Sequence, residues 1–206
     1  MPTLKIEQSR SVLIAAAMRV IARGGVAAAT TRAVCAEAGV AQGRFHYAFT
    51  SRDELLADVV AYATDNAAAA FTAPLNELRD GKCDRPPGVA GAVRLVFSAY
   101  AENLAANPDR ERALIALSQY AQHTPGLEPF AEQIYRRYYE IAAVVLKECA
   151  DYCEVSWVRP PEYLAPLVLA MSDGLTMAYL ATGDRAVSER IIEAAAAMLS
   201  TYATVE

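Results

Sequence analysis

The stretch Gly39–Phe49, GVAQGRFHYAF, packs two glycines, an arginine, a histidine and three aromatics into eleven residues. Its side chains suit recognition better than reaction. The amide of Gln42 and the guanidinium of Arg44 are planar forks that pair with adenine and guanine edges in a DNA major groove. Each such pair discriminates between bases by about 1–3 kcal/mol. Gly43 lies between them and lets backbone come close to a partner. His46 and Tyr47 add a ring nitrogen and a hydroxyl on the same short segment. Thr31, Arg32, Tyr47 and Arg52 are the candidates for phosphate oxygens, since hydroxyls, cations and helix N-terminal amides all suit them. Phe45 and Phe49 have the opposite task of seating the segment on its neighbours.

Reaction chemistry finds little support. The chain carries no nucleophile motif and no glycine-rich phosphate loop. Its two histidines, His46 and His123, are far apart in sequence. Cys149 and Cys153 are four apart on one helical face, but no histidine or second cysteine pair completes a metal site. The expectation is therefore no enzyme, no metal and no cofactor, with the four cysteines as reduced thiols in a cytoplasmic protein.

The elements that would position these residues are helical. Alanine and leucine abound, glycine and proline cluster at a few points, and no strand alternation is visible. Leu13, Ala17, Val20 and Ile21 mark one face of a helix over about 9–23, stopped at Arg23–Gly25. Thr30 or Thr31 caps the next, which ends at Gly39. A short helix over 41–47 follows at once. Ser51 with Glu54, or Thr50 with Asp53, then fits a capping box that opens a long helix to about Phe71, before Pro74. Two short helices around a tight glycine turn have helix-turn-helix spacing. In that motif the second helix enters the major groove.

Beyond this, Arg79–Gly88 reads as the clearest loop. Helices are expected over 89–106, 109–122, 129–152, 162–182 and a last one to about Tyr202, with proline or glycine between them. Tyr163–Met171 is the most apolar stretch. It is too short for a membrane span, which needs about 20 apolar residues. The N-terminal decapeptide has no apolar core of a secretion signal. Charge is uneven: residues 1–52 hold seven basic and two acidic groups, and the remainder holds 12 and 22. A cationic N-terminal segment in an acidic chain suits a polyanionic partner.

The segment TTRAVCAEAGVAQGRFHYAFTSRDELL resembles the DNA-binding region of the TetR family of bacterial transcriptional repressors. Thr31, Ala38, Gly39, Val40, Gly43, Phe49, Ser51 and Leu55 fall into the family's register, and the likeness covers roughly residues 9–58. The chain differs in placing His46 where tyrosine is usual, Ala48 before Phe49, and Arg52 for lysine. The segment SDGLTMAYLATGD also looks like a helix of that family's dimerisation part.

The resemblance implies an all-α fold of about nine helices. Residues 1–52 would form a three-helix DNA-binding domain, and 53–206 a ligand-binding and dimerisation domain. It implies a homodimer on a palindromic operator, released by a small, mostly apolar effector. Phe97, Tyr100, Leu117, Ser118, Tyr138, Met171 and Thr176 lean to the interior and are the effector-pocket candidates, against ordinary core packing. Leu164, Val168, Leu175, Ile191, Ala195 and Leu199 lie on the apolar stripes of the last two helices. They are candidates for a dimer interface or for a protomer core. The rival readings are a constitutive DNA-binding protein without an inducer and a small-molecule enzyme.

Overall fold

The computed structural model describes residues 2–80, 88–124 and 128–204, with side chains at 2–5, 63–70, 79 and 128–130 excepted. The centre of the expected Arg79–Gly88 loop, residues 125–127 of the turn after His123 and the side chain of Phe130 lie outside the described residues. Among those described there are nine helices: α1 Pro2–Ala28, α2 Thr31–Ala38, α3 Gln42–Ala48, α4 Arg52–Arg79, α5 Gly88–Ala106, α6 Pro108–His123, α7 Glu128–Cys153, α8 Pro161–Thr182 and α9 Arg185–Ser200.

Packing groups the chain differently from a cut after residue 52. One compact unit joins Met1–Asp65 with Asn107–Ile134, and the other joins Asn66–Ala106 with Tyr135–Glu206. In the first, α1 packs against α2, α3 and most extensively α6. Leu13, Ala16 and Ala17 on its inner face are wholly buried. In the second, α5, α8 and α9 pack on one another around a core that includes Val93, Phe97, Leu164, Leu175 and Leu199. The helical spacing of these apolar residues is what assigns each helix its buried stripe.

Three boundaries differ from expectation. The first helix runs on past Arg23 and breaks at Gly25, where φ 74° and ψ 175° require a residue without a Cβ. The fourth continues through Pro74 to Arg79. Proline inside a helix costs about 3 kcal/mol. Phe71, Leu75 and Leu78, at i, i+4 and i+7, are all buried there, and burying each apolar side chain returns about 1.5–3 kcal/mol. Finally, Ser156 and Trp157 pair antiparallel with Thr204 and Ala203. A two-residue pair is too short to leave an alternating signature. Trp157 anchors it by donating Nε1–H to the Leu146 carbonyl at 2.8 Å.

Two helical stretches, Ile6–Ala28 and Pro161–Thr182, are long and apolar enough to cross a membrane by length and composition. The second shows that α8 extends well beyond its most apolar stretch. Both have a buried stripe inside their own unit, as core helices do.

Candidate nucleic-acid interface and interior cavity

The turn between α2 and α3 is built from hydrogen bonds that only one backbone shape allows. Thr30 Oγ1 caps α2 by accepting from Ala33 N at 3.1 Å. At the other end Gly39 is left-handed, with φ 66°. Its N–H reaches Ala36 O at 3.1 Å, and Val40 N–H reaches Cys35 O at 3.0 Å. This pair of bonds is the Schellman stop, and it needs glycine or a close substitute at the left-handed residue. Val34 and Cys35 pack inward beneath it, and burial raises the Cys35 thiol above its usual pKa.

α3 is seven residues long and too short to stand alone. Phe45 and Phe49 hold it, 1% and 2% exposed, with ring centroids 5.6 Å apart. Ala48 is buried beside them. Gln42, Gly43, Arg44, His46 and Tyr47 all face solvent. A Cβ placed on Gly43 would meet nothing within 4 Å. Packing inside the protomer therefore gives no reason for glycine at that position.

The cations of the first unit divide into spent and free. Arg19 and Arg23 both pair with Glu37, whose carboxyl they hold below its usual range. Arg10 donates to Asp58 at 2.7 Å, to Glu54 at 2.9 Å and to the Ala48 carbonyl at 2.8 Å, with its guanidinium 4.3 Å from the Phe49 ring centroid. Arg52 is half-buried and donates to the carbonyls of Ala29 (2.9 Å) and Val26 (2.5 Å). These bonds tie it to the end of α1 through Nε and Nη2 and leave Nη1 for another acceptor. Arg44 Nη1 donates to Ser9 Oγ at 3.1 Å. Arg32 is exposed at the start of α2, with Thr31 beside it, and among the described residues makes no hydrogen bond or ion pair. The acidic groups Asp53, Glu54, Asp58 and Asp65 fall just past residue 52, so residues 1–65 carry a net charge of only +1. The cationic character is thus local, at Arg32 and Arg44, and not a property of the whole segment.

The start of α4 is a capping box in which the two halves use different residues. Ser51 Oγ accepts from Glu54 N at 3.1 Å. Glu54 Oε2 reaches back to both the N–H and the hydroxyl of Thr50, at 2.7 Å each. These bonds, with Arg10 next, pull the Glu54 carboxyl down to about 2. The Arg10 cluster was missed from sequence because its partners lie 38 to 48 residues away. Glu54 and Asp58, four apart on one helical face, were the available signal that a cation sits opposite them.

The second unit encloses a small apolar cavity of about 30 Å³, among whose walls are Phe97, Tyr138, Val145, Leu146, Cys149 and Ser172. Ser172 Oγ is spent on Val168 O at 3.0 Å. Burial raises the Cys149 thiol to about 12, so it is inert. Of the expected pocket residues, Phe97 and Tyr138 line the cavity. Tyr100 and Thr176 are buried in the same core, with their hydroxyls 2.5 Å apart and Tyr100 stacked on Phe71. Met171 packs against this core at half exposure. Leu117 and Ser118 belong to α6 of the first unit and do not line the cavity.

The interface candidates are also redistributed. Leu164, Val168, Leu175, Ala195 and Leu199 are buried in the protomer's own core, and Ile191 packs against it. A face already filled cannot meet a partner. The open faces of the same helices carry Tyr163, Ala170, Gly174 and Met177 on α8, and Ala194 and Ala197 on α9.

A seated short helix with an exposed polar face, behind a glycine stop and a capped helix, defines a helix-turn-helix DNA-binding regulator. Residues 13–59 match the family model described as bacterial regulatory proteins, tetR family. Residues 89–204 match that of the BetI-type transcriptional repressor, C-terminal. The chain belongs to the TetR family of bacterial transcriptional regulators.

No curated protein matches it in sequence. Among solved structures, a transcriptional regulator from Rhodococcus sp. is 22% identical with a TM-score of 0.71, over 96% of this chain and 98% of that one. A TetR-family member from Streptomyces coelicolor is 22% identical with a TM-score of 0.68, over 93% and 98%. The regulator FadR from Bacillus subtilis, solved with stearoyl-CoA, is 17% identical with a TM-score of 0.68, over 89% and 95%. At these identities the likeness is one of fold.

Proposed function

We propose that this regulator is a cytoplasmic repressor that binds a palindromic operator as a homodimer and is released by a small, mostly apolar effector. The observation that carries the DNA side is the outer face of α3. Five consecutive-turn residues, Gln42 to Tyr47 without Phe45, are exposed while the aromatic pair behind them is buried. Gln42 and Arg44 read bases; His46, Tyr47, Thr31 and Arg32 contact base edges or phosphates. Arg52 fixes the end of α1 through Nε and Nη2 and offers Nη1 to a phosphate.

The effector side rests on the apolar cavity of the second unit, flanked by Tyr100, Met171 and Thr176. A fold relative, the Bacillus subtilis FadR, was solved with stearoyl-CoA, which has a long apolar chain. An effector releases DNA only if it binds the DNA-incompetent conformation better than the competent one. The dimer would form on the open faces of α8 and α9, where Ala170, Gly174 and Ala194 permit close helix approach.

A specific observation favours the constitutive reading as the runner-up: about 30 Å³ is far below the roughly 300–1,000 Å³ of a ligand pocket, so an effector has to open the cavity. One experiment separates the two. Binding to the DNA upstream of its own gene is measured with and without long-chain acyl compounds and other apolar probes. Release by any of them supports the inducible repressor, and undiminished binding with all of them supports the constitutive one. Failure to bind that DNA or any palindrome selected from a random pool would sink both.

A further inference from the structure

We propose that a half-open groove between α5 and α9 is a second binding site, for a small zwitterion of amino-acid size. The groove holds about 150 Å³. On α5 its wall is Ser98, Ala101, Glu102 and Ala105, and on α9 it starts at Arg185 and ends at Ile192. Each wall follows i, i+3, i+4, i+7 spacing, so each is one stripe of its helix. Just beyond the groove, Arg94 Nε reaches Glu193 Oε1 at 2.8 Å and ties the two helices together. On the groove side of that tie Ser98, Ala101, Ala105 and Ser188 are small and leave the gap, and Tyr179 of α8 completes its lining.

Two observations point to a ligand. The first is Ser188, which lines the groove, is 5% exposed, and has an Oγ with no hydrogen-bond partner. Other helical hydroxyls of this unit fold back on the carbonyl four residues earlier: Ser172 on Val168, Thr182 on Ala178 and Ser200 on Ala196. Ser188 does not. Buried polar groups are almost always paired in native proteins. The second is charge. Glu102, Arg185 and Glu189 rim the groove, and among the described residues none of their side chains makes a hydrogen bond or an ion pair. Elsewhere in the unit exposed carboxylates do find cations, as Glu193 finds Arg94 and Glu162 finds Lys147.

Two carboxylates and one guanidinium around a hydroxyl match an ammonium and a carboxylate carried on one small molecule. The ammonium belongs to Glu102 and Glu189, and the acid to Arg185. The apolar cavity offers no such groups, so the two sites take different ligands. The site also stands apart from DNA reading, because its occupancy is measured on free protein.

The test uses the full chain and three probes of similar size: L-alanine as zwitterion, ethylammonium as cation and propionate as anion. Binding is followed by ligand-observed saturation-transfer NMR. Alanine is expected to saturate one site per chain, with each single-charge probe roughly fivefold weaker or more, the worth of one exposed charge pair. Arg185→Ala, on the exposed rim, should weaken alanine and leave ethylammonium unchanged. Ser188→Leu should fill the groove and abolish alanine binding with the helical circular dichroism retained. The proposal is overturned if wild-type protein shows no saturable alanine binding. Ethylammonium binding as tightly as alanine, or a folded Ser188→Leu variant binding alanine normally, would also overturn it.

Discussion

The short helix α3 and the apolar cavity are built in opposite ways. α3 is seven residues long and gives its outer face wholly to solvent, with two buried phenylalanines holding it from behind. The cavity is walled by α4, α5, α7, α8 and α9, and nearly every side chain there is both wall and core. On α3 a residue is either buried support or part of the exposed face proposed to read DNA, and the two sets do not overlap. In the cavity the residues that would meet the proposed effector are themselves the support. A substitution can therefore separate stability from recognition on α3, whereas around the cavity it changes the two together.

The largest expected effect tests that separation at its support. Phe45→Ala removes a side chain that is almost fully buried, and such truncations cost about 3–5 kcal/mol. Urea unfolding should show the loss, and DNA binding should vanish on every sequence alike. The matched change at the cavity wall, Leu146→Ala, should cost about 2–5 kcal/mol while enlarging the space for an apolar ligand. If Leu146→Ala left stability untouched, the cavity wall would not be core, and the contrast would fail.

How legible each region was follows from the same difference. The turn was readable because its chemistry is local: Thr30, Gly39 and Ser51 act within four residues of themselves. Phe45 and Phe49 were readable because their spacing points one way. The structural partners of Arg52 were not legible, because nothing nearby in sequence points to the carbonyls of Val26 and Ala29. The buried α8 and α9 residues were ambiguous for a physical reason. Apolar spacing says that a stripe is covered, and only the fold says by what. Of the expected pocket residues Phe97 and Tyr138 line the cavity, whereas Leu117 and Ser118 are buried in a different core.

Next in size come the residues proposed to read DNA. Arg44→Ala should cost about 1–3 kcal/mol of discrimination at one operator position, seen as relaxed selection from a random DNA pool with the fold intact. Equal loss on all sequences would reassign Arg44 to phosphate. Ser9→Ala removes the group that holds Arg44 when DNA is absent, and should change operator selectivity without changing the helical circular dichroism. Gly43→Ala sharpens the contrast further. Nothing in the protomer crowds a Cβ there, and alanine is favoured over glycine in a helix by about 1 kcal/mol. The variant should melt at the same temperature or slightly higher, yet bind operator more weakly. Stronger or unchanged operator binding would mean that DNA does not approach the backbone at residue 43.

The smallest effect lies at the joint between support and reader. Glu54 holds Thr50 and Arg10, and Arg10 in turn holds the Ala48 carbonyl at the end of α3. The Glu54 carboxyl is depressed to about 2 from an ordinary 4.5, chiefly by its bonds to Thr50. A depressed carboxylate contributes stability that is complete above its unfolded pKa and is lost as pH falls through its folded pKa. The contribution is therefore full at neutral pH and should fade between about 4.5 and 2. Urea midpoints measured across that window should fall more steeply for wild type than for Glu54→Gln, with the two converging at the acid end. Above pH 5 Glu54→Gln should be the less stable at every pH by a constant offset, because glutamine keeps one acceptor but loses the charge. A constant gap all the way down to pH 2 would show that the charge of Glu54 plays no part in seating α3. The exposed readers would then rest on the two phenylalanines alone.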